Sequence, residues 1–187
     1  AMRIFAEDGD TSATVERIAA EAGISARTFH RHFPTKEDVV RPLFRESTEM
    51  TIAALRSAPP GGDPVDLLVS AFLSRAHQQR ELTESDRVFM RLVSENPQFR
   101  LRWLEVDGEL ADAVTDFLAG RVELDPDPLL RSLPATMIVQ TARHVIEHWV
   151  LGRSAGPVAP LLGSGLRQVF RGLDPATVPL VARTGRC

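Results

Sequence analysis

Apolar residues recur along this chain at helical spacing, and no stretch shows the two-residue alternation of a half-buried strand. Val15, Ile18, Ala19 and Ala22 fall at i, i+3, i+4 and i+7, which makes one stripe on one short helix. Ahead of them Ala1, Ile4 and Phe5 belong to a first helix, and behind them Phe29 and Phe33 predict a third whose inner face they hold. Punctuation supports these bounds. Thr14 and Ser25 stand where a side-chain oxygen caps a helix start, and Thr35 with Asp38 three residues on makes a capping box. Gly23 stands where the chain must reverse through left-handed backbone. A longer helix follows over residues 36–56 with Val39, Val40, Leu43, Phe44 and Ile52 inward; Pro42 inside it demands a bend there or a later start.

Pro59-Pro-Gly-Gly-Asp-Pro64 is the strongest breaker in the sequence and separates a small unit from a larger one. Beyond it the pattern predicts helices near 64–79, 84–95, 97–119, 128–151 and 157–172. They are parted at Glu84-Ser-Asp, Asn96-Pro97, Asp125–Pro128 and residues 152–157. From Asp174 onward two prolines and no periodicity remain. The fold class is therefore all-α: an N-terminal three-helix head with a helix-turn-helix, then a larger helical domain. The expected division is 1–45 for the head and 46–187 for the rest.

Charge changes the picture locally. The chain carries a formal net charge of −3, and residues 1–56 hold 8 Lys+Arg against 9 Asp+Glu, so neither the whole nor the head is basic on average. Yet between Glu21 and Glu37 there is no acid, while Arg27, His30, Arg31, His32 and Lys36 fall in that interval. A short helix cleared of acids suits a polyanion, and the major groove of DNA admits one helix whose first residues reach base edges. Arg27 is placed to donate two hydrogen bonds to guanine, and Thr28 to meet a thymine methyl or a phosphate. His30 and Lys36 sit further along, toward the flanking backbone, with Arg31 and His32 adding positive charge. Free amides at the helix starts marked by Thr14 and Thr35 are further phosphate ligands, and Ser25, at the start of the basic helix, counts among the DNA-contact residues. The bland alternative is that Thr14 and Ser25 only cap and the arginines are only solvated.

The string Phe5-Ala-Glu-x-Gly9, Thr14-Val-x-x-Ile-Ala-x-x-Ala-Gly-Ile-Ser25, Thr28-Phe-His-Arg-His-Phe33 and Thr35-Lys-Glu-Asp38 resembles the TetR family of bacterial transcriptional regulators over about residues 1–45. The resemblance implies an all-helical homodimer that binds a double-stranded DNA operator. It also implies pairing through the last two long helices and a ligand domain behind the head. Family members usually carry tyrosine at the position of His30, donating to a phosphate; histidine makes that contact depend on pH near neutrality. Two heads about one DNA turn apart, ~34–36 Å, read a palindrome.

Composition adds bounds. A hydrophobic share of 43% and a charged share of 25% are ordinary for a globular protein. Cys187 is the single cysteine, so no internal disulfide forms, and no apolar run approaches a membrane span. These features predict a cytoplasmic protein without membrane contact. Twenty-one arginines against the one lysine, Lys36, read as coding bias. The first helical pattern is already under way at Ala1, which suggests that an N-terminal stretch precedes it.

The larger domain holds a decoy and a pocket. His144-Val-Ile-Glu147-His148 matches the H-x-x-E-H pattern of inverted zinc peptidases, with two imidazoles on one helix face and Glu147 as base. The only acid downstream to complete a metal site is Asp174, so no metal and no cofactor is expected, and Arg143 pairing with Glu147 on a surface is the simpler reading. A zinc-dependent hydrolase and a ligand-independent dimeric regulator are the alternatives to a ligand-responsive repressor. Phe72, Met90, Phe99, Trp103, Leu110, Met137 and Trp149 supply adaptable apolar surface for a pocket. Arg87, Arg91, Gln140 and His144 are the polar groups placed to orient a small apolar or amphipathic ligand. Arg87-Val-Phe-Met-Arg91 through Asn96-Pro97 loosely resembles TetR regulators that bind acyl-CoA-like ligands.

Overall fold

The structure, a computed structural model, describes residues 1–74 and 84–173. Helix α1 (Met2–Asp8) ends on Gly9, whose φ of 72° is the left-handed stop the sequence calls for. Helix α2 (Val15–Glu21) starts at Thr14, whose hydroxyl accepts from the Arg17 amide at 3.3 Å. Gly23 turns the chain at φ 68°, and α3 (Ala26–His32) starts at Ser25, whose hydroxyl accepts from the Thr28 amide at 3.1 Å. The two helices are thus capped from within, leaving their outer faces free for other work.

The helix expected over 36–56 is two elements. Residues Lys36–Val40 form a 3-10 turn closed by the Thr35–Asp38 capping box, and α4 (Arg41–Arg56) starts after it with Pro42 in its first turn. Proline fits there because the first amides of a helix have no partner to lose. Then come α5 (Pro64–Phe72), α6 (Glu84–Glu95), α7 (Pro97–Leu104), α8 (Asp107–Ala119), α9 (Pro128–Val150) and α10 (Val158–Leu173). Asp63, Asn96 and Asp127 each cap the helix that a proline then opens. Two expected helices are shorter than predicted. The one over 64–79 ends at Phe72 with a turn at Leu73, and its last expected residues lie outside the described ones, as does everything from Asp174. The one over 97–119 breaks between Leu104 and Asp107, because Glu105 and Val106 turn the chain so that α8 can run along α9.

Two hydrophobic cores result. The first joins Ile4, Phe5, Ile18, Ala19 and Phe29 of the head to Val40 and Phe44, and then to Phe89, Val93 and Phe99 of α6 and α7. Phe5 and Phe99, both fully buried, meet edge to face at 5.5 Å. The head is therefore seated on α6 and α7 and does not hang from α4 alone. The second core packs Leu55, Val65 and Leu68 against Val114, Leu118, Ile138, Val139, Leu162 and Leu166 of α8, α9 and α10. Arg121 pins the breaker after α4 to this body by donating to the Pro59 carbonyl at 2.7 Å.

Candidate functional site

Burying Phe29 on one side of α3 fixes what the other side shows. Arg27, His30, Arg31 and His32 are exposed, Thr28 is half-buried, and neither Arg27 nor Arg31 has an ion-pair partner among the described residues. Thr28 also receives the Ser25 hydroxyl at 3.1 Å, which locks the first turn of α3. Arg3 and Arg17 of the head, by contrast, are engaged. Arg17 donates to Asp8 at 2.9 Å and Arg3 pairs with Glu21. Lys36 differs from expectation: its ammonium donates to the Thr11 carbonyl at 2.7 Å, and it is half-buried. An ammonium has three donors, so a flanking phosphate is still within its means. Asn96 holds the same loop through the Thr11 hydroxyl at 3.1 Å.

The joint between head and body is ionic. Asp38, 2% exposed, takes the Arg102 guanidinium at 2.7 Å and that of Arg41 at 3.4 Å. Arg41 also holds Glu105 at 2.8 Å. Burial pushes the Asp38 carboxyl up, but hydrogen bonding from Thr35 and the two guanidinium charges outweigh it, leaving the group below the usual carboxylate range. The hydrogen bond from Arg41 likewise holds Glu105 low.

Beyond that joint lies a cavity of about 150 Å³ between α4, α6, α8 and α9. Phe44, Phe72, Phe89, Trp103 and Trp149 form much of its wall, with Met90, Leu110, Val139 and Ile146 filling between them. Phe44 stacks parallel on Trp103 at 5.7 Å, so one residue serves both the head's core and the cavity. Polar atoms enter from two directions. Ser47, Thr48 and Thr51 come from α4, and Asp107 and Arg143 from α8 and α9. Arg143 meets Asp107 at 3.2 Å and Glu147 at 3.4 Å, and Arg100 meets Glu147 at 2.9 Å.

Known proteins agree with this geometry. Residues 1–43 match the family described as bacterial regulatory proteins, tetR family, and residues 62–174 match the MftR C-terminal domain. The chain belongs to the TetR family. The HTH-type transcriptional regulator TcmR of Streptomyces glaucescens is 31% identical over 159 residues, spanning 81% of this chain and 70% of that protein. The HTH-type transcriptional repressor Rv1474c of Mycobacterium tuberculosis is 33% identical over 137 residues, spanning 70% of each. The structure of the fatty acid degradation regulator FadR from Bacillus halodurans superposes with a TM-score of 0.61 at 23% identity, covering 92% of this chain and 91% of that one. This chain is thus a TetR-type DNA-binding transcriptional regulator, not an enzyme. No helix among its described residues is long and apolar enough to cross a membrane.

Of the expected head residues Thr14, Ser25, Arg27, His30, Arg31 and His32 are exposed and Thr28 and Lys36 are half-buried, while the expected pocket needs revision. Phe72, Met90, Trp103, Leu110 and Trp149 do line the cavity. Phe99 does not; it is spent on the head's core against Phe5. Met137 faces outward on α9, and Arg91 is exposed on α6. Arg87 lies 4.8 Å over the Trp149 ring, outside the cavity wall. Gln140 reaches the cavity only indirectly, donating to Asp107 at 2.9 Å. His144 is exposed and faces His148 at 4.2 Å between rings. The expected placement is therefore inverted: the histidine is outside, and the Arg143–Glu147 pair is inside. Glu147 is 9% exposed and committed to two guanidiniums, so it is no free base for a hydrolase. The polar residues that sequence reasoning missed are Thr48, Thr51, Asp107 and Arg143. One signal was readable: Phe44, Thr48, Thr51 and Leu55 form a single helical stripe that places two hydroxyls on a buried face.

Proposed function

We propose that this regulator is a dimeric repressor whose α3 enters the major groove of a palindromic operator, and that a small apolar or amphipathic ligand releases it. Residues 1–45 serve as the DNA-binding unit, and residues 46–187 bind ligand and dimerise. Arg27 reads guanine; Thr28 meets a thymine methyl or a phosphate. His30, Arg31, His32 and Lys36 meet the backbone with the amides behind Thr14 and Ser25. Dimerisation runs through α9 and α10, for which the outward Leu129, Leu130, Leu133 and Met137 on α9 supply apolar surface. The protein works in the cytoplasm, where the operator is.

The observation that carries this reading is Phe44 on α4, which closes the head's core on one side and the cavity on the other. A ligand that displaces Phe44 or Trp103 shifts the platform on which the head sits, and so favours a spacing of the two heads that no longer fits the operator. The test is fluorescence anisotropy with a duplex selected from random sequence. Arg27→Ala lowers affinity for that duplex by roughly 1–3 kcal/mol and narrows its advantage over point variants. An equal loss on every duplex assigns Arg27 to a phosphate and removes base reading from it.

A further inference from the structure

We infer that the cavity selects an uncharged, single-ring ligand carrying a hydroxyl or carbonyl, and that Asp107 sets this selectivity. The inference rests on the ligand cavity of the preceding section and names the class of its occupant. Size comes first. About 150 Å³ is the volume of a cavity that holds a benzene-sized molecule when its walls are apolar. Shape comes second, because the parallel Phe44–Trp103 stack and the Phe72, Phe89 and Trp149 rings favour a flat occupant.

Charge decides the class. Among the described lining residues only Asp107 and Arg143 are charged, and they neutralise each other at 3.2 Å. Behind them Glu147 is shared by Arg143 and Arg100, so the four side chains sum to zero. Arg143, with its side chain 14% exposed, directs three of its five N–H donors to Asp107, Glu147 and Gln140, and its charge is already matched by the two carboxylates. A carboxylate entering here meets Asp107 and finds no spare cation, and its desolvation is uncompensated. A neutral hydroxyl or carbonyl needs only one partner. Thr48 and Thr51 provide hydroxyls on the opposite wall, and Asp107 an acceptor on the near one.

The probes are 4-ethylphenol and 4-ethylbenzoate, alike in ring and tail and different in charge at neutral pH. The two tryptophans of the chain, Trp103 and Trp149, both line the cavity and there is no tyrosine, so intrinsic emission reports on occupancy directly. The wild-type protein binds the phenol at least about tenfold more tightly than the benzoate. Asp107→Asn keeps an oxygen for Gln140 and Arg143 but leaves the four-residue group with one net positive charge. It raises benzoate affinity on the order of tenfold and weakens the phenol, whose hydroxyl loses a charged acceptor, so the preference between the two probes narrows or reverses. Thr48→Val, which removes a hydroxyl at constant shape, weakens the phenol several-fold and leaves ethylbenzene unchanged. Equal binding of phenol and benzoate by the wild type, an Asp107→Asn ratio that does not move, or failure of both probes to quench overturns the inference. Operator binding measured on the same samples separates this from the functional reading. Retained operator affinity confines the failure to the ligand class, whereas loss of sequence-selective DNA binding in wild-type protein strikes the regulator mechanism itself.

Discussion

Asp38 is the residue whose removal most directly tests how the head is fastened to the body. Its carboxylate accepts from the Thr35 amide at 2.8 Å and forms ion pairs with the guanidinium of Arg102 at 2.7 Å and that of Arg41 at 3.4 Å, in a site almost closed to water. Asp38→Ala forfeits the cap, about 1 kcal/mol, and strands the half-buried Arg102. Breaking a buried pair costs about 3–5 kcal/mol when nothing replaces the lost partner. Arg102 keeps Glu105 at 3.1 Å, however, which holds this component near about 2–3 kcal/mol. The expected total is about 3–4 kcal/mol. Asp38→Asn retains an oxygen for Thr35 and loses only the charge, so it costs about 1–2 kcal/mol. Urea unfolding followed by far-UV circular dichroism measures both as a fall in midpoint at constant slope. The sign with pH is fixed by the lowered carboxyl. Its contribution is full above the unfolded carboxylate pKa and fades as pH falls through the folded one, so the gap between wild type and Asp38→Asn closes in acid. An Asp38→Asn protein as stable as wild type at neutral pH refutes the ionic joint.

Two further outcomes probe the head itself. Phe99→Ala empties a fully buried site between α1 and α7 and lowers stability by about 3–5 kcal/mol; calorimetry that shows a surface-like change of under about 0.5 kcal/mol contradicts a shared core. Ser25→Ala removes the cap of α3 and lowers stability by about 1 kcal/mol. The same change weakens operator binding, because the first turn that carries Arg27 and Thr28 frays; unchanged anisotropy titrations speak against a preorganised α3.

The head was legible because its determinants are local. Thr14, Gly23, Ser25 and the Thr35–Asp38 box each act within four residues, and all four do in space what their spacing announces. Pro42 was ambiguous from sequence because a proline fits a first turn as well as a bend; the capping box upstream settles it as a first turn. The cavity was half legible. Aromatic and methionine side chains point to burial, but whether they fill a core or edge a hollow depends on partners far along the chain. Phe99 and Trp103, one helical turn apart on α7, show this: the first is consumed by Phe5 and the second faces Phe44 and the cavity.

The amino-acid order alone determined an all-helical chain, the capped starts of α2 and α3 and the cationic outer face of α3. Each follows from periodicity, capping and charge within a few turns of one helix. Tertiary structure alone decided that α6 and α7 complete the head's core, that Arg143 points inward while His144 points out, and that Asp107 cancels Arg143. Those outcomes turn on contacts between residues tens of positions apart, and no local pattern encodes which of two neighbouring faces a distant helix will cover.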